Sequence, residues 1–173
     1  LAVRTGKFDD NLVLNFTGLV VSRTVSNLFG KGVKFVLPGE DNPDQEWLDT
    51  CWDANKQEIL LHKTGTYGAE AGTCYLKIMP EGVIGKDGKI YPRLIALDPA
   101  TVTVDTMPED HEIPIRYTIR FNIVGPDGKE VARKQVIELD DKWTITDYQA
   151  SSIAIWRWQE MDSQVWGYDF PPI

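Results

Sequence analysis

The sequence predicts an α+β fold in which N-terminal helices pack on a mostly antiparallel β-sheet system. Apolar residues recur at helical spacing in the first part of the chain, about residues 7–71, and at every second position over about 73–168. Turn signals such as Asp87-Gly88 and Pro126-Asp127-Gly128 separate the segments of period two. Because the helices come first and the strands follow, we expect separate α and β parts and no doubly wound parallel sheet.

Length and composition are those of one globular domain. The chain has 173 residues, of which 42% are hydrophobic and 25% charged. We therefore expect residues 1–173 to form a single α+β domain. No apolar run approaches the roughly 18 residues of a membrane span, and the start of the sequence has no secretory signal pattern. We expect no membrane partner.

Negative charge dominates the sequence. Lys and Arg number 18 and Asp and Glu number 26, which gives a net charge of −8. A protein that holds DNA tightly through its phosphates needs clustered positive charge, so tight nucleic-acid binding is disfavoured. The acidic residues gather in predicted loops: Glu40, Asp41, Asp44 and Glu46; Glu109, Asp110 and Glu112; Glu138, Asp140 and Asp141.

The first predicted helix spans about residues 10–28, with Asp9 or Asp10 as N-cap and Gly30 as its stop. Arg23 is its only charged residue after position 10, whereas a surface helix normally carries charge on its exposed side. We expect this helix to be covered nearly all round, by its own domain or by a neighbouring subunit, and to expose fewer residues than the other helices. A stripe of small uncharged residues is the candidate helix-packing or subunit contact: Asn11, Asn15, Gly18, Ser22 and Ser26.

The remaining elements follow from local signals. Residues 33–37 are predicted as a short strand, Asn42-Pro43 as the start of a second helix, and Gly72 as the end of the helical part. Further strands are predicted at 74–79, 90–97, 102–104, 116–124, 130–138, 142–148, 153–158 and 164–168.

Motifs for catalysis, cofactors or metals are missing from the sequence. Gly30-Lys31-Gly32 lacks the hydroxyl of a phosphate-binding loop, and His111-Glu112 is not followed by a second histidine at metalloprotease spacing. Two histidines without a C-x-x-C pair are too few for a typical zinc cluster, and His62 is expected at the surface or at the edge of the core. We expect no enzyme activity, no catalytic or metal-binding residues and no cofactor.

Cysteines and tryptophans favour packing roles. Cys51 and Cys74 are expected to be buried free thiols, with a disulfide left open as the alternative. The tryptophan pairs are predicted to pack in the core, because little positive charge accompanies them as it would in a base-stacking platform: Trp47 and Trp52, Trp156 and Trp158.

Five landmarks stand in order along the chain, each at a helix or strand junction. They are the helix-to-strand entry at 27–35, the end of the tryptophan-bearing helix at 52–55, the helix-glycine-strand junction at 72–78, the strand ending in Asp-Pro at 93–99, and the strands at 115–119 and around Trp143. In their order and spacing they resemble the N-terminal wing region of tailed-bacteriophage portal proteins. The resemblance covers nearly the whole chain.

The resemblance implies a structural subunit of a ring, usually a dodecamer, at one capsid vertex. Such a ring is the conduit for DNA packaging and ejection and the attachment point of the tail. The implied partners are other portal subunits, capsid and scaffold proteins, and, through segments outside this sequence, terminase and head-completion proteins. Double-stranded DNA would pass without tight binding. The implied location is the virion, after assembly in the host cytoplasm, and the implied chain is a fragment of a longer polypeptide.

A second hypothesis comes from a different functional class. The chain would be a self-contained α+β binding module or small enzyme, whose site is built by residues remote in sequence. The first predicted helix, whose only charge after position 10 is Arg23, favours the portal hypothesis. A monomer would have little use for a helix that is covered on all sides.

Overall fold

The computed structural model describes residues 16–39, 42–125, 127–150 and 157–173. Its helices precede its strands and the strands pair antiparallel, which confirms the α+β class. The helices are α1 (Phe16–Phe29), α2 (Asp44–Ala54) and α3 (Gln57–Ala71). The strands are β1 (Tyr75–Ile84), β2 (Ile90–Leu97), β3 (Val102–Thr106), β4 (Pro114–Val124), β5 (Glu130–Leu139), β6 (Trp143–Ala150) and β7 (Trp158–Val165).

Two helix ends form as their sequence signals predict. The Asn42 side-chain oxygen accepts a hydrogen bond from the Asp44 amide at 3.0 Å, which caps the start of α2. Gly72 follows α3 with a φ of 73° and donates its amide to the Gly68 carbonyl at 3.0 Å. The predicted start of the first helix, residues 10–15, lies outside the described residues.

Helix α1 packs against α3 through a glycine. Val25 is buried on α1, and Gly65 of α3 lies directly against it. A Cβ atom added at Gly65 would lie 2.7 Å from Phe29 Cε2 and 3.0 Å from Val25 Cγ1. The two helices approach this closely because position 65 has no side chain.

We expect Gly65→Ala to lower the free energy of unfolding by about 1–2 kcal/mol, because the added methyl group overpacks this contact. Gly68→Ala, one turn later in α3, is the matched control. Nothing lies within 4 Å of a Cβ atom at position 68, so the higher helix propensity of alanine should raise stability by about 0.5–1 kcal/mol. Urea denaturation measures both variants, and equal effects would contradict this account of the packing.

The predicted strand at 33–37 is wrong, since this segment belongs to neither of the sheets that the described residues form. Side chains of α2 bind its backbone instead. Gln45 accepts from the Leu37 amide at 2.8 Å and donates to the Phe35 carbonyl at 2.9 Å. Trp52 donates its indole N–H to the Val33 carbonyl at 2.8 Å. These bonds satisfy backbone groups that a neighbouring strand would otherwise satisfy.

The described strands form two antiparallel sheets. Strands β1 and β2 pair with each other, and the second sheet has the order β3-β4-β5-β6-β7. The β4–β5 hairpin closes from Val124 paired with Glu130, and Gly128 in its turn has a φ of 76°. This confirms the antiparallel system and the hairpin predicted at residues 126–128, although Pro126 itself lies outside the described residues.

The predicted strand at 164–168 is wrong as drawn, because β7 runs over Trp158–Val165 and pairs with β6. Most of the predicted strand at 153–158, residues 153–156, lies outside the described part of the chain. Strand β7 is at the sheet edge and nearly all its residues are exposed. Since neither face of this strand is buried, its sequence has no apolar alternation that could reveal it.

The core lies between the two sheets. Its buried members come from the large sheet and the segment after it: Tyr117, Ile119, Ile137, Trp143, Ile145 and Trp166. Tyr75 and Ile78 of β1 and Leu97 of β2 pack against them. Pro172 is fully buried and accepts the Ile78 amide at 2.7 Å. The C-terminal segment therefore attaches the small sheet to the large one.

Candidate subunit-interaction surface

Helix α1 presents a wide apolar face to solvent. Phe16 is 66% exposed, Leu19 54%, Val20 63% and Leu28 68%. At 100° per residue, Phe16 and Val20 lie on the side of the helix opposite to Val25, which packs on α3. The expectation that this helix exposes the fewest residues is therefore wrong: α1 exposes a larger share of its residues than α2 or α3. The described parts of the domain cover only its α3-facing side.

The small-residue stripe lies beside this apolar face. Gly18 is half-buried, whereas Ser22 and Ser26 are exposed. Asn11 and Asn15 lie outside the described residues. A helix-packing or subunit-contact role for the stripe remains a prediction. Sequence reasoning singled out the stripe and missed the exposed apolar side chains, because helical periodicity alone does not tell which side of an uncharged helix its own domain covers.

An apolar surface of this kind is unusual on a monomer. Arg23 is the only charged residue on α1, and the polar Thr24 and Asn27 are exposed on the same side of the helix. Fully burying one large apolar side chain contributes about 1.5–3 kcal/mol, and each of these four is more than half exposed. Several large apolar side chains exposed on one helix are typical of interaction sites. The α1 face is therefore the strongest candidate contact surface in the described chain.

A polar cluster lies in a cavity of about 390 Å³ between the two sheets. The Lys77 ammonium donates to the Gln135 side-chain oxygen, and the Gln135 amide donates to Asp147 at 2.8 Å. Burial lowers the pKa of Lys77, and the Asp147 carboxylate acts in the opposite direction. Asp162 pairs directly opposite Asp147 across β6 and β7. The cluster connects the two sheets, and the Asp147 carboxylate is the counter-charge of the partly buried Lys77 ammonium.

We expect Asp147→Asn to lower the free energy of unfolding by about 1 kcal/mol, because it removes the counter-charge of the partly buried Lys77. Asp162→Asn is the control. Like Asp147→Asn, it removes the repulsion between the two aspartates that face each other across β6 and β7, but it leaves the Asp147 carboxylate in place. It should leave stability unchanged or raise it by a few tenths of 1 kcal/mol. Urea denaturation at neutral pH compares them, and a control that is equally destabilising would contradict the role of Asp147.

An open groove of about 810 Å³ lies between residues 33–37, α2 and the β1–β2 turn. Four acidic residues and two basic residues line it: Glu46, Asp49, Asp53 and Asp87, and Lys34 and Lys86. Lys86 forms an exposed ion pair with Asp53 at 3.1 Å and lowers the pKa of that carboxyl group. Asp87 accepts a hydrogen bond from the Tyr91 hydroxyl at 2.8 Å. Surface ion pairs of this kind carry little energy, and the groove brings together no nucleophile and base among the described residues.

Cysteines, histidines and tryptophans do not form a reactive site in the described part of the chain. Both cysteines are free, but only Cys51 is buried, so the expectation of two buried thiols is wrong for Cys74, which precedes β1 in an exposed segment. Burial raises the pKa of the Cys51 thiol, which disfavours the reactive thiolate. His62 is exposed as predicted. Among the described residues, no three His, Cys, Asp or Glu side chains are placed to hold a metal ion.

The predicted core packing of the tryptophans is wrong for Trp47. Trp52 packs edge-on against Phe35, whereas Trp47 is 48% exposed and contacts Tyr91. Trp158 lies under the Lys134 ammonium at 4.9 Å, and Trp156 lies outside the described residues.

No described helix combines the length and the apolar character that crossing a membrane would require. Comparison of the sequence with models of known protein families gives no match, and comparison with curated proteins gives no significant match.

Proposed function

We propose that this chain is the wing part of a tailed-bacteriophage portal subunit and works as a structural, non-enzymatic component of a ring. The observation that carries the proposal is the exposed apolar face of α1. Each subunit of a cyclic ring contacts two neighbours through different surfaces. A face too apolar for a monomer is expected on such a subunit, where the neighbour covers it.

The junctions between elements also support the proposal. Gly72 separates α3 from β1, and Asp98-Pro99 separates β2 from the valine-rich β3. These helix-to-strand and strand-to-strand junctions are the ones that the portal resemblance implies. The first landmark, 27–35, contains the end of α1, but the strand that the resemblance implies after it belongs to no sheet among the described residues.

In this function the chain contacts other portal subunits, capsid and scaffold proteins, and it carries no cofactor. Terminase and head-completion proteins bind through other segments of the polypeptide. The subunit assembles in the host cytoplasm and remains in the virion. The net charge of −8 suits a conduit, because walls that gripped phosphates would hinder DNA at every step of its passage.

The test uses the full-length gene product. Light scattering and negative-stain electron microscopy should detect closed rings, and titration with duplex DNA at physiological salt should give no sub-micromolar affinity for the 173-residue chain. A strictly monomeric full-length protein at high concentration would favour a self-contained binding module or small enzyme. Sub-micromolar DNA binding by the chain alone would also count against the proposal.

A further inference from the structure

A second groove, of about 370 Å³, lies between α3 and the β1–β2 sheet. Its lining contains basic residues and no acidic ones, although the protein has a net charge of −8. Apolar side chains line it, among them Ile59, which is 56% exposed. Three cationic residues also line it: Lys56, Lys63 and Arg93. All three are exposed, and none of them forms an ion pair with another described residue. The groove therefore fits a segment that is both apolar and acidic.

The loop between β3 and β4, residues 107–113, has this chemistry. Met107 is 39% exposed and Ile113 44% exposed, one at each end of the loop. Between them lie three exposed acidic residues: Glu109, Asp110 and Glu112. Their carboxylates form no ion pair with other described residues. The loop thus carries two apolar side chains and three negative charges, which match the apolar lining and three positive charges of the groove.

The backbone of this loop is already organised. The Met107 amide donates to the Ile113 carbonyl at 2.9 Å, and the Ile113 amide donates to the Asp110 carbonyl at 3.2 Å. The Asp110 side chain accepts the Glu112 amide at 2.9 Å. A loop held in one conformation loses little entropy when it docks, which favours binding.

We propose that the β3–β4 loop of one subunit docks into the α3–β2 groove of the next copy, as one contact of the ring. The inference rests on the proposed function, because in a cyclic ring each contact joins two different surfaces of identical chains. It is separate from the α1 face, so each subunit has both an apolar contact and a charged one. The charged contact fixes which way neighbouring subunits face, since complementary charge contributes chiefly to orientation and specificity.

The experiment reverses the charges in the full-length protein. The groove variant carries Lys56→Glu, Lys63→Glu and Arg93→Glu, and the loop variant carries Glu109→Lys, Asp110→Lys and Glu112→Lys. Each should assemble at least about tenfold more weakly than the unmodified protein, because like charges then face each other. A mixture of the two variants should recover ring formation, since the acidic groove of one then meets the basic loop of the other.

The matched control is Asp140→Lys with Asp141→Lys in the β5–β6 turn, which should assemble normally. Light scattering reports assembly, and circular dichroism reports folding. Assembly of the unmodified protein should also weaken between about 0.05 and 0.5 M salt, which tests the contact without any substitution. Rings that are insensitive to salt, or a mixture that does not recover, would overturn the docking proposal alone. An unmodified protein that forms no rings would overturn the proposed function.

Discussion

Replacing Leu19 and Val20 by glutamate is expected to stop ring formation by the full-length protein while leaving the fold of the domain intact. Both side chains are more than half exposed on α1, so the described domain loses little when they become polar. In the ring the exposed part of each side chain would be buried against a neighbour, which contributes about 1–2 kcal/mol each. Losing both contacts would weaken each interface by about 2–4 kcal/mol, and two buried carboxylates would add to this cost. Light scattering over a concentration series measures the effect.

Val124→Glu provides the control for this experiment. Val124 is 71% exposed at the end of β4, which resembles the exposure of the two α1 residues. Because Val124 lies outside the proposed contact, the variant should form rings normally. Rings that persist in the α1 variant, or that are lost equally in the control, would contradict the role of the α1 face.

Gly82→Ala is expected to lower the free energy of unfolding by about 3 kcal/mol, at the upper end of overpacking effects. Gly82 lies in β1 where the register with β2 shifts between Met79 and Val83. A Cβ atom at this position would lie 1.4 Å from the Tyr91 carbonyl oxygen, so the backbone of one strand would have to move. Tyr91 is only 2% exposed, which leaves little room for this movement.

Urea denaturation of the 173-residue chain measures this loss. Gly167→Ala is the control, because nothing lies within 4 Å of a Cβ atom there. It should change stability by no more than about 0.5 kcal/mol. A Gly82→Ala variant as stable as this control would show that β1 and β2 do not approach each other as described.

Much of the fold was accessible from local sequence signals. Asn42-Pro43 before α2, Gly72 after α3 and the turns at residues 87–88 and 126–128 predicted element ends because they act within a few residues. The same reasoning gave a wrong prediction for residues 33–37. Their apolar character suits a strand, but Gln45 and Trp52 bind their backbone, and such a contact from a distant side chain leaves no periodic signal.

The candidate surfaces were less predictable than the fold. The lack of charge on α1 correctly marked the helix as unusual, but it did not reveal that Phe16 and Val20 face away from the described domain. The α3–β2 groove was invisible in sequence, because Lys56, Lys63 and Arg93 become neighbours only after α3 packs beside β2. Exposure and convergence of side chains depend on tertiary packing, which no local pattern contains.

The most direct test of the central claim is the exposure of Phe16, Leu19 and Val20 in an electron-microscopy structure of the assembled full-length protein. We predict a closed ring in which a neighbouring subunit covers these three side chains. A ring in which they remain open to solvent would contradict the claim that the apolar face of α1 is a subunit contact.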